Sequence, residues 1–201
     1  MLRALKKTNT HLGRAPDLVF LHNPERTLGQ CRNAREVLAE ACGALEDAAM
    51  RGLCGGWGIS SWDPVALPDL IDGTMPRPAV LMIRSGLAVG TVTLDAAETL
   101  ADRWKPDALW GMSPFGGDTG DPMWEAFDPR IFLRAPNTGT SRLQAAFRVA
   151  YHLPPVDAVA VGADEPAHLR ELLDALPGRI DSATVHRYRS LLRERARGQP
   201  V

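Results

Sequence analysis

The stretch DLVFLHNPE, from Asp17 to Glu25, decides how this chain is interpreted. Four consecutive apolar residues, LVFL, are followed at once by a histidine, an asparagine and a proline. A short apolar run with turn residues at its end predicts a fully buried strand over residues 18–21. His22 then stands where that strand ends. It is either a functional group at a strand end or only the polar end of a buried strand.

Short apolar runs alternate with helical patterns along the rest of the chain. Four further strands are predicted, at GGWGISSW (55–62), AVLMIRSG (79–86), ALWGMS (108–113) and VDAVAVGA (156–163). Helices are predicted over 30–52 with Gly52 as a stop, 65–71, 95–104, 141–153, 165–176 and 182–197. Alternation of this kind predicts a parallel α/β fold, here in a single domain over residues 1–201. The irregular stretch from Ser113 to Thr138 is long for a connection, and it is either an active-site loop or an ordinary irregular loop.

Composition and charge exclude several classes of function. A formal net charge of −1 argues against a nucleic-acid-binding protein held by bulk electrostatics. The longest apolar runs are too short to cross a membrane. The basic start MLRALKK has no apolar segment behind it, so no signal peptide is predicted. Three cysteines without paired spacing do not predict a disulfide framework or a zinc site, and they favour a reducing, cytoplasmic location.

Five motifs occur in a recognisable order. They are DLVFLHNPE, the pair ALEDAAMRGL and CGGWGISSWD, LMIRSGL, WGMSPFGG, and VDAVAVGADEPAHLRELLDAL. In this order they resemble strands four to eight, with their turns and helices, of the aldo/keto reductases. The resemblance covers nearly the whole chain. It implies an incomplete TIM-type (β/α) barrel of about five parallel strands alternating with helices, with its functional residues at the carboxyl ends of the strands.

The resemblance also implies a chemistry. Aldo/keto reductases reduce aldehydes or ketones with NADPH, or less often NADH, and use an aspartate, a tyrosine, a lysine and a histidine. The histidine matches His22, whereas the other three belong to strands one to three and have no counterpart here. Because a carbonyl oxygen must be polarised and protonated during reduction, His22 is the candidate acid/base group. Asn23, Ser61 and Trp62 are the candidate substrate-binding residues.

The family's cofactor contacts fall on positions whose side chains are largely replaced. The candidate cofactor-binding residues are Ser60, Ser61, Met82, Met112, Ser113, Pro114, Phe115, Gly116, Gly162, His168 and Glu171. Ser61 offers a hydroxyl where the family has an amide, and Met112 stands where it has a stacking tyrosine. Asp164 and Glu165 follow strand eight and would repel a phosphate. The resemblance therefore implies an eroded site for NADP(H) or NAD(H), or no cofactor at all.

A barrel of five strands does not close, so both of its outer strands have an unpaired edge. Such edges aggregate unless they are covered. We therefore expect a homo-oligomer, most simply a homodimer, or a partner chain that supplies the missing strands. In the remaining alternative, the N-terminal segment and the last helix fold over the gap. We also expect a small-molecule ligand. We do not expect the protein to bind nucleic acid or a membrane.

Three functions follow from these observations. The first is a truncated aldo/keto-reductase-like pseudoenzyme, repurposed as a small-molecule-binding protein or a non-redox enzyme. The second is an NAD(P)H-dependent carbonyl reductase completed by a partner chain, and the third is a non-catalytic structural or regulatory subunit. A metal site is not expected, because the acids Asp118, Asp121, Glu125 and Asp128 lack a known ligand pattern.

Overall fold

A computed structural model describes residues 2–135 and 139–198 and contains five parallel strands in one sheet. The strands are β1 (Val19–His22), β2 (Trp57–Ser61), β3 (Val80–Arg84), β4 (Ala108–Met112) and β5 (Ala158–Ala160). The helices are α1 (Leu2–Leu12), α2 (Pro24–Leu28), α3 (Ala34–Met50), α4 (Thr91–Trp104), α5 (Met123–Ala126), α6 (Arg142–Ala150), α7 (Pro166–Ala175) and α8 (Ser182–Gly198). The sheet order is β1-β2-β3-β4-β5, without the reversal of a doubly wound sheet. The predicted partial (β/α) barrel is therefore confirmed.

The chain divides into two compact units. Unit 1 comprises Met1–Ile83 and Ala96–Trp110, and unit 2 comprises Arg84–Asp95 and Gly111–Val201. Unit 1 has its own core, built from buried residues of α3, α4, β2 and β3 such as Leu38, Ile59 and Leu81. Unit 2 has a separate core around Phe132, with aliphatic residues of α6 against it. The prediction of a single domain over residues 1–201 stays a prediction.

An aromatic pair shows that the sheet curves within unit 1. Phe20 on β1 and Trp110 on β4 have ring centroids 6.1 Å apart. In a flat sheet, strands three positions apart are separated by about 14 Å. The rings meet because the strands curl toward one face, as barrel strands do. Gly58 on β2 lies under Phe20, since a Cβ there would come within 2.8 Å of the Phe20 ring.

The central and outer strands differ in burial. All five residues of β2 are buried, whereas residues 18–21 are only half-buried. The prediction that LVFL is a fully buried strand is therefore wrong. Within the described residues β1 is the first strand of the sheet, so it has a neighbouring strand on one side only. That position leaves its side chains partly open to water.

A second difference from the predicted elements is caused by proline. The short helix expected over 65–71 is replaced by two 3₁₀ turns, Pro64–Ala66 and Pro68–Leu70. Because proline has no N–H, Pro68 cannot continue a helical ladder begun at Pro64. The helix predicted over 30–52 ends as expected, with Met50 as its last residue and Gly52 behind it at φ +66°.

The stretch predicted to be irregular from Ser113 to Thr138 contains local structure. The one-turn helix α5 is followed by a 3₁₀ turn at Pro129–Phe132. Residues 136–138 of that stretch lie outside the described residues. The chain then enters α6 through a capping box, in which Ser141 and Gln144 satisfy each other's backbone N–H groups.

The cysteines carry no disulfide in the described residues. Cys42 and Cys54 are buried and Cys31 is half-buried. Burial raises the pKa of the Cys42 thiol to about 12 and raises that of Cys54 in the same direction. The two buried thiols are therefore unreactive. Among the described helices, none is long and apolar enough to span a membrane.

Candidate functional site

The turn that follows β1 is built by an asparagine and a proline. Asn23 adopts the left-handed conformation, with φ 46° and ψ 55°, which asparagine tolerates better than most residues. Its N–H donates to the Ser60 carbonyl at 2.7 Å and so extends the pairing of β1 with β2. Pro24, with its fixed φ, then begins α2. The turn after β4 uses the same device, because Ser113 has φ 54° and is followed by Pro114.

His22 is held between two polar side chains. Its Nδ1 lies 2.7 Å from Ser60 Oγ, and its Nε2 lies 3.2 Å from the Asn23 side-chain nitrogen Nδ2. The Asn23 oxygen Oδ1 is already committed, because it accepts the backbone N–H of Trp62 at 3.0 Å. The orientation of the Asn23 amide is therefore fixed, and its NH₂ group faces the histidine.

This arrangement selects one tautomer of His22. The Asn23 amide nitrogen is only a donor, so Nε2 must accept and carries no proton. Nδ1 then carries the proton and donates to Ser60 Oγ. His22 is the exposed residue at the end of β1, yet both of its ring nitrogens have partners within the chain. A carbonyl ligand at Nε2 would receive a hydrogen bond from His22 only after Asn23 had moved.

Glu25 is a member of this cluster that the sequence prediction missed. Its Oε1 accepts the N–H groups of Trp62 at 2.9 Å and Asp63 at 3.1 Å. Its Oε2 is buried and has no hydrogen-bond partner among the described residues. The available signal was the acid in the first turn after Asn23-Pro24, a position where a carboxylate is favoured.

The remaining predicted residues of unit 1 lie close by but make different contacts. Ser61 is 0% exposed, and its Oγ has no hydrogen-bond partner in the part of the chain that the structure describes. Met82 on β3 is the register partner of Ser60. The Trp62 side chain is 37% exposed beside them. The structure thus gathers His22, Asn23, Ser60 and Trp62 into one hydrogen-bonded cluster, and their assigned roles stay predictions.

Two neighbouring serines provide a matched test of this cluster. We expect Ser60→Ala to lower the free energy of unfolding by about 1 to 2 kcal/mol, because it leaves the His22 Nδ1–H without its acceptor. Nitrogen-15 NMR of the imidazole should still show the Nδ1–H tautomer, because Asn23 continues to donate to Nε2. Ser61→Ala removes a buried hydroxyl without a described partner, so it should be neutral or stabilising by up to about 1 kcal/mol. Equal effects of the two substitutions would contradict the assigned network.

Unit 2 holds a cleft of about 350 Å³ at the carboxyl ends of β4 and β5. Its walls include four of the predicted cofactor-binding residues, Ser113, Pro114, Phe115 and Gly162. Met112 ends β4 directly before them, and Gly116 lies in the turn at φ +75°. The predicted residues His168 and Glu171 are not on the cleft wall and lie on the exposed surface of α7.

The charges on this cleft do not suit a dinucleotide. The charged side chains on its wall are Asp118 and Asp164. Two carboxylates oppose the approach of phosphate groups, and no lysine or arginine among the described residues lines the wall to compensate. The residues present therefore do not fit the pyrophosphate of NADP(H) or NAD(H). The same two carboxylates favour a neutral or positively charged ligand.

Three of the four acids considered as metal ligands have local structural contacts. Asp118 accepts the N–H of Gly120 at 2.8 Å, and Asp121 accepts that of Met123 at 2.8 Å. Asp128 caps the 3₁₀ turn at Pro129–Phe132. Within the described residues, no group of three or more histidine, cysteine or acidic side chains is placed to hold a metal ion.

Asp128 makes the stability of unit 2 depend on pH. The Arg130 side chain binds it in a two-pronged ion pair, with the shortest contact 2.8 Å, and the Arg130 N–H adds a further bond. These contacts lower the pKa of Asp128 to about 2. The ion pair with ionised Asp128 therefore stabilises the folded state fully above the unfolded pKa of about 4. This stabilisation is lost as the pH falls from about 4 to 2.

We expect Asp128→Asn to flatten the fall of the melting temperature between about pH 4 and pH 2, because it removes the titrating group. The amide oxygen of asparagine can still cap the turn, so the substitution should leave the fold intact. Asp102→Asn is the control, since Asp102 is exposed and makes no ion pair in the described residues. An unchanged pH profile for Asp128→Asn, measured by calorimetry, would refute this assignment.

Comparison with known proteins identifies the fold. The chain resembles an aldo/keto reductase from Brucella melitensis with a TM-score of 0.65 and 19% identity, covering 95% of this chain and 66% of that one. It resembles a thermostable aldo-keto reductase solved with the inhibitor epalrestat with a TM-score of 0.67 and 22% identity, covering 94% and 65% of the two chains. The holo form of an aldo-keto reductase from Bacillus halodurans gives a TM-score of 0.66 and 16% identity, covering 95% and 66%.

These likenesses show the aldo/keto reductase fold, as the order of the motifs predicted. The chain spans about two thirds of the length of these reductases. No family profile matches the sequence, and no curated protein matches it either.

Proposed function

We propose that this protein binds a small neutral or positively charged molecule on an aldo/keto reductase fold and does not transfer hydride. The cleft at the ends of β4 and β5 carries this proposal. It has a volume of about 350 Å³, which is the size of a small-ligand site. Its position at the carboxyl ends of parallel strands is where barrel proteins bind ligands. Asp118 and Asp164 on its wall attract a cation and disfavour a dinucleotide.

The hydrogen bonds of His22 support the same proposal. A reductase needs a donor for the carbonyl oxygen that receives negative charge. In the tautomer that Asn23 selects, the one N–H of His22 is used by Ser60. His22 therefore contributes to the structure of the strand end in this proposal. If the protein is an enzyme after all, His22 remains the acid/base group, released by a movement of Asn23.

Calorimetric titration with NADPH, NADH and the diamine putrescine tests the proposal. Neither dinucleotide should bind saturably below about 1 mM, whereas putrescine should bind and raise the melting temperature. The double variant Asp118→Asn, Asp164→Asn should weaken putrescine binding by at least about tenfold. Glu194→Gln, an exposed acid on α8, serves as the matched control and should leave binding unchanged. Micromolar binding of NADPH would overturn the proposal.

A carbonyl reductase completed by a partner chain is the second candidate. The fold favours it, because all three comparison structures described above are aldo/keto reductases and one is a holo form. In this candidate the partner would supply the missing acid and the positive charges for the cofactor phosphates. Reduction of a carbonyl substrate by NADPH, abolished by His22→Ala without loss of the fold, would establish it.

We also propose that the protein is a homo-oligomer. Helix α7 and its C-cap residue expose a stripe of leucines at positions 169, 173 and 176, with exposed fractions of 39%, 61% and 37%. Apolar side chains at this spacing lie on one face of a helix and are typical of a contact surface. The reducing, cytoplasmic location expected from the free cysteines belongs to the same proposal. A monomeric mass by light scattering at micromolar concentration would count against the oligomer.

A further inference from the structure

Unit 2 contains a second cleft, of about 510 Å³, that lies apart from the walls of the strand-end cleft. It is bordered by α6, the end of α7, the segment before α6 and the segment after α7. Three arginines line it, namely Arg134, Arg148 and Arg179. One acid, Asp174, lines it as well, so the wall carries two net positive charges, three minus one.

None of the three arginines has a carboxylate within ion-pair distance among the described residues. Two examples show that other arginines of unit 2 do form ion pairs. Arg130 binds Asp128, and Arg189 binds Asp95. Three like charges around one cleft repel one another, and this repulsion costs free energy unless an anion is bound.

Arg148 is held in place without a counter-charge. Its Nε donates to the Gly178 carbonyl at 2.9 Å, and its guanidinium carbon lies 5.3 Å from the centre of the Tyr151 ring. Burial lowers the pKa of this guanidinium, although an arginine stays charged in any case. The remaining N–H groups of a half-buried guanidinium can bind an oxyanion through charge-assisted hydrogen bonds.

The other two arginines are brought together by the backbone. The N–H of Arg134 donates to the carbonyl of Arg179 at 2.8 Å, and the bridge between Leu133 and Ile180 continues this pairing. The pKa of Asp181 is lowered mainly by the hydrogen bond from the Thr184 side chain, and the positive charge of Arg134 makes a smaller contribution. The Asp181 Oδ2 accepts that hydrogen bond from the Thr184 hydroxyl at 2.9 Å, and Asp181 is not among the described residues that line the cleft.

We propose that this cleft binds a small polyanion, with phosphate or carboxylate groups held by Arg134, Arg148 and Arg179. Guanidinium groups bind both kinds of oxyanion through paired hydrogen bonds. The site is separate from the proposed function at the strand ends, and it takes a ligand of the opposite charge.

Calorimetry with inorganic pyrophosphate and with malonate, at constant ionic strength, tests the proposal. We expect saturable binding with a stoichiometry near one per chain, and the tighter of the two anions identifies the chemical source. Arg148→Gln should weaken binding by at least about tenfold. Arg170→Gln is the matched control, because Arg170 is exposed on α7 and does not line the cleft.

Asp174→Asn tests the site without removing an arginine. It takes away the one negative charge on the wall, so binding should tighten by about threefold or more. Tighter binding cannot result from damage to the fold, so this variant still tests the proposal if Arg148→Gln is unstable. Absence of saturable binding of both anions, or an equal loss in Arg148→Gln and Arg170→Gln, would overturn the proposal.

Discussion

Replacing Gly58 with alanine is expected to lower the free energy of unfolding by about 3 kcal/mol or more. A Cβ on Gly58 would lie 2.5 Å from the backbone oxygen of Val80 and 2.8 Å from the Phe20 ring. Neither neighbour can yield easily. Val80 belongs to the adjacent strand β3, and Phe20 is part of the ring contact with Trp110 across the curved face of the sheet. The added methyl group would force β2 and β3 apart.

Urea denaturation followed by fluorescence measures this effect, and the chain offers a matched control. Gly43→Ala makes the same chemical change inside α3, where an added Cβ meets nothing within 4 Å. Alanine is the better helix former, so this variant should be more stable by about 0.5 to 1 kcal/mol. A Gly58→Ala protein as stable as the parent would contradict the close approach of the strands.

Local signals in the sequence predicted much of this fold. Each predicted strand coincides with an observed one to within three residues at either end, because apolar runs bounded by turn residues are local features. The stop at Gly52 and the start of α7 at Pro166 were also predictable from single residues. The carboxyl ends of the strands, where the candidate residues lie, follow from the order of the motifs.

Other features depend on neighbours distant in the chain. The strand β1 is half-buried because of its place in the sheet, and this place cannot be inferred from its apolar sequence alone. The engagement of His22 by Ser60 joins residues 38 positions apart. The side-chain orientation of Asn23 depends on Trp62, a contact over 39 positions. These contacts decide what His22 can donate, so a sequence motif that matches a reductase histidine does not by itself establish the reductase role.

The second cleft of unit 2, called the arginine cleft below, could not be predicted from the sequence for a similar reason. Arg134, Arg148 and Arg179 are spread over 46 positions, and no motif joins them. They meet because α6 and α7 pack together and because the segment before α6 pairs with the segment after α7. The strand-end cleft and the arginine cleft then give one unit two clefts whose walls carry opposite charge.

Phe132→Ala is expected to destabilise the protein by about 4 kcal/mol. Phe132 ends the 3₁₀ turn at Pro129–Phe132 and is 0% exposed. Its ring packs edge-on against Tyr188 at 5.3 Å and lies 6.0 Å from Phe127, between centroids. Removing it leaves a cavity at the centre of the unit 2 core, and aromatic pairs lose a contribution beyond burial alone.

Scanning calorimetry should show this loss as a fall in melting temperature of about 10 °C. Ile131→Ala is the control, since Ile131 is the preceding residue and its side chain is 57% exposed; it should cost less than about 1 kcal/mol. Phe132→Leu should recover most of the stability because it refills the cavity in part. If Phe132→Ala and Ile131→Ala were equally mild, the aromatic cluster would not hold α8 to the turn. The position of Arg134, two residues further along, would then need another explanation, and with it the arginine cleft.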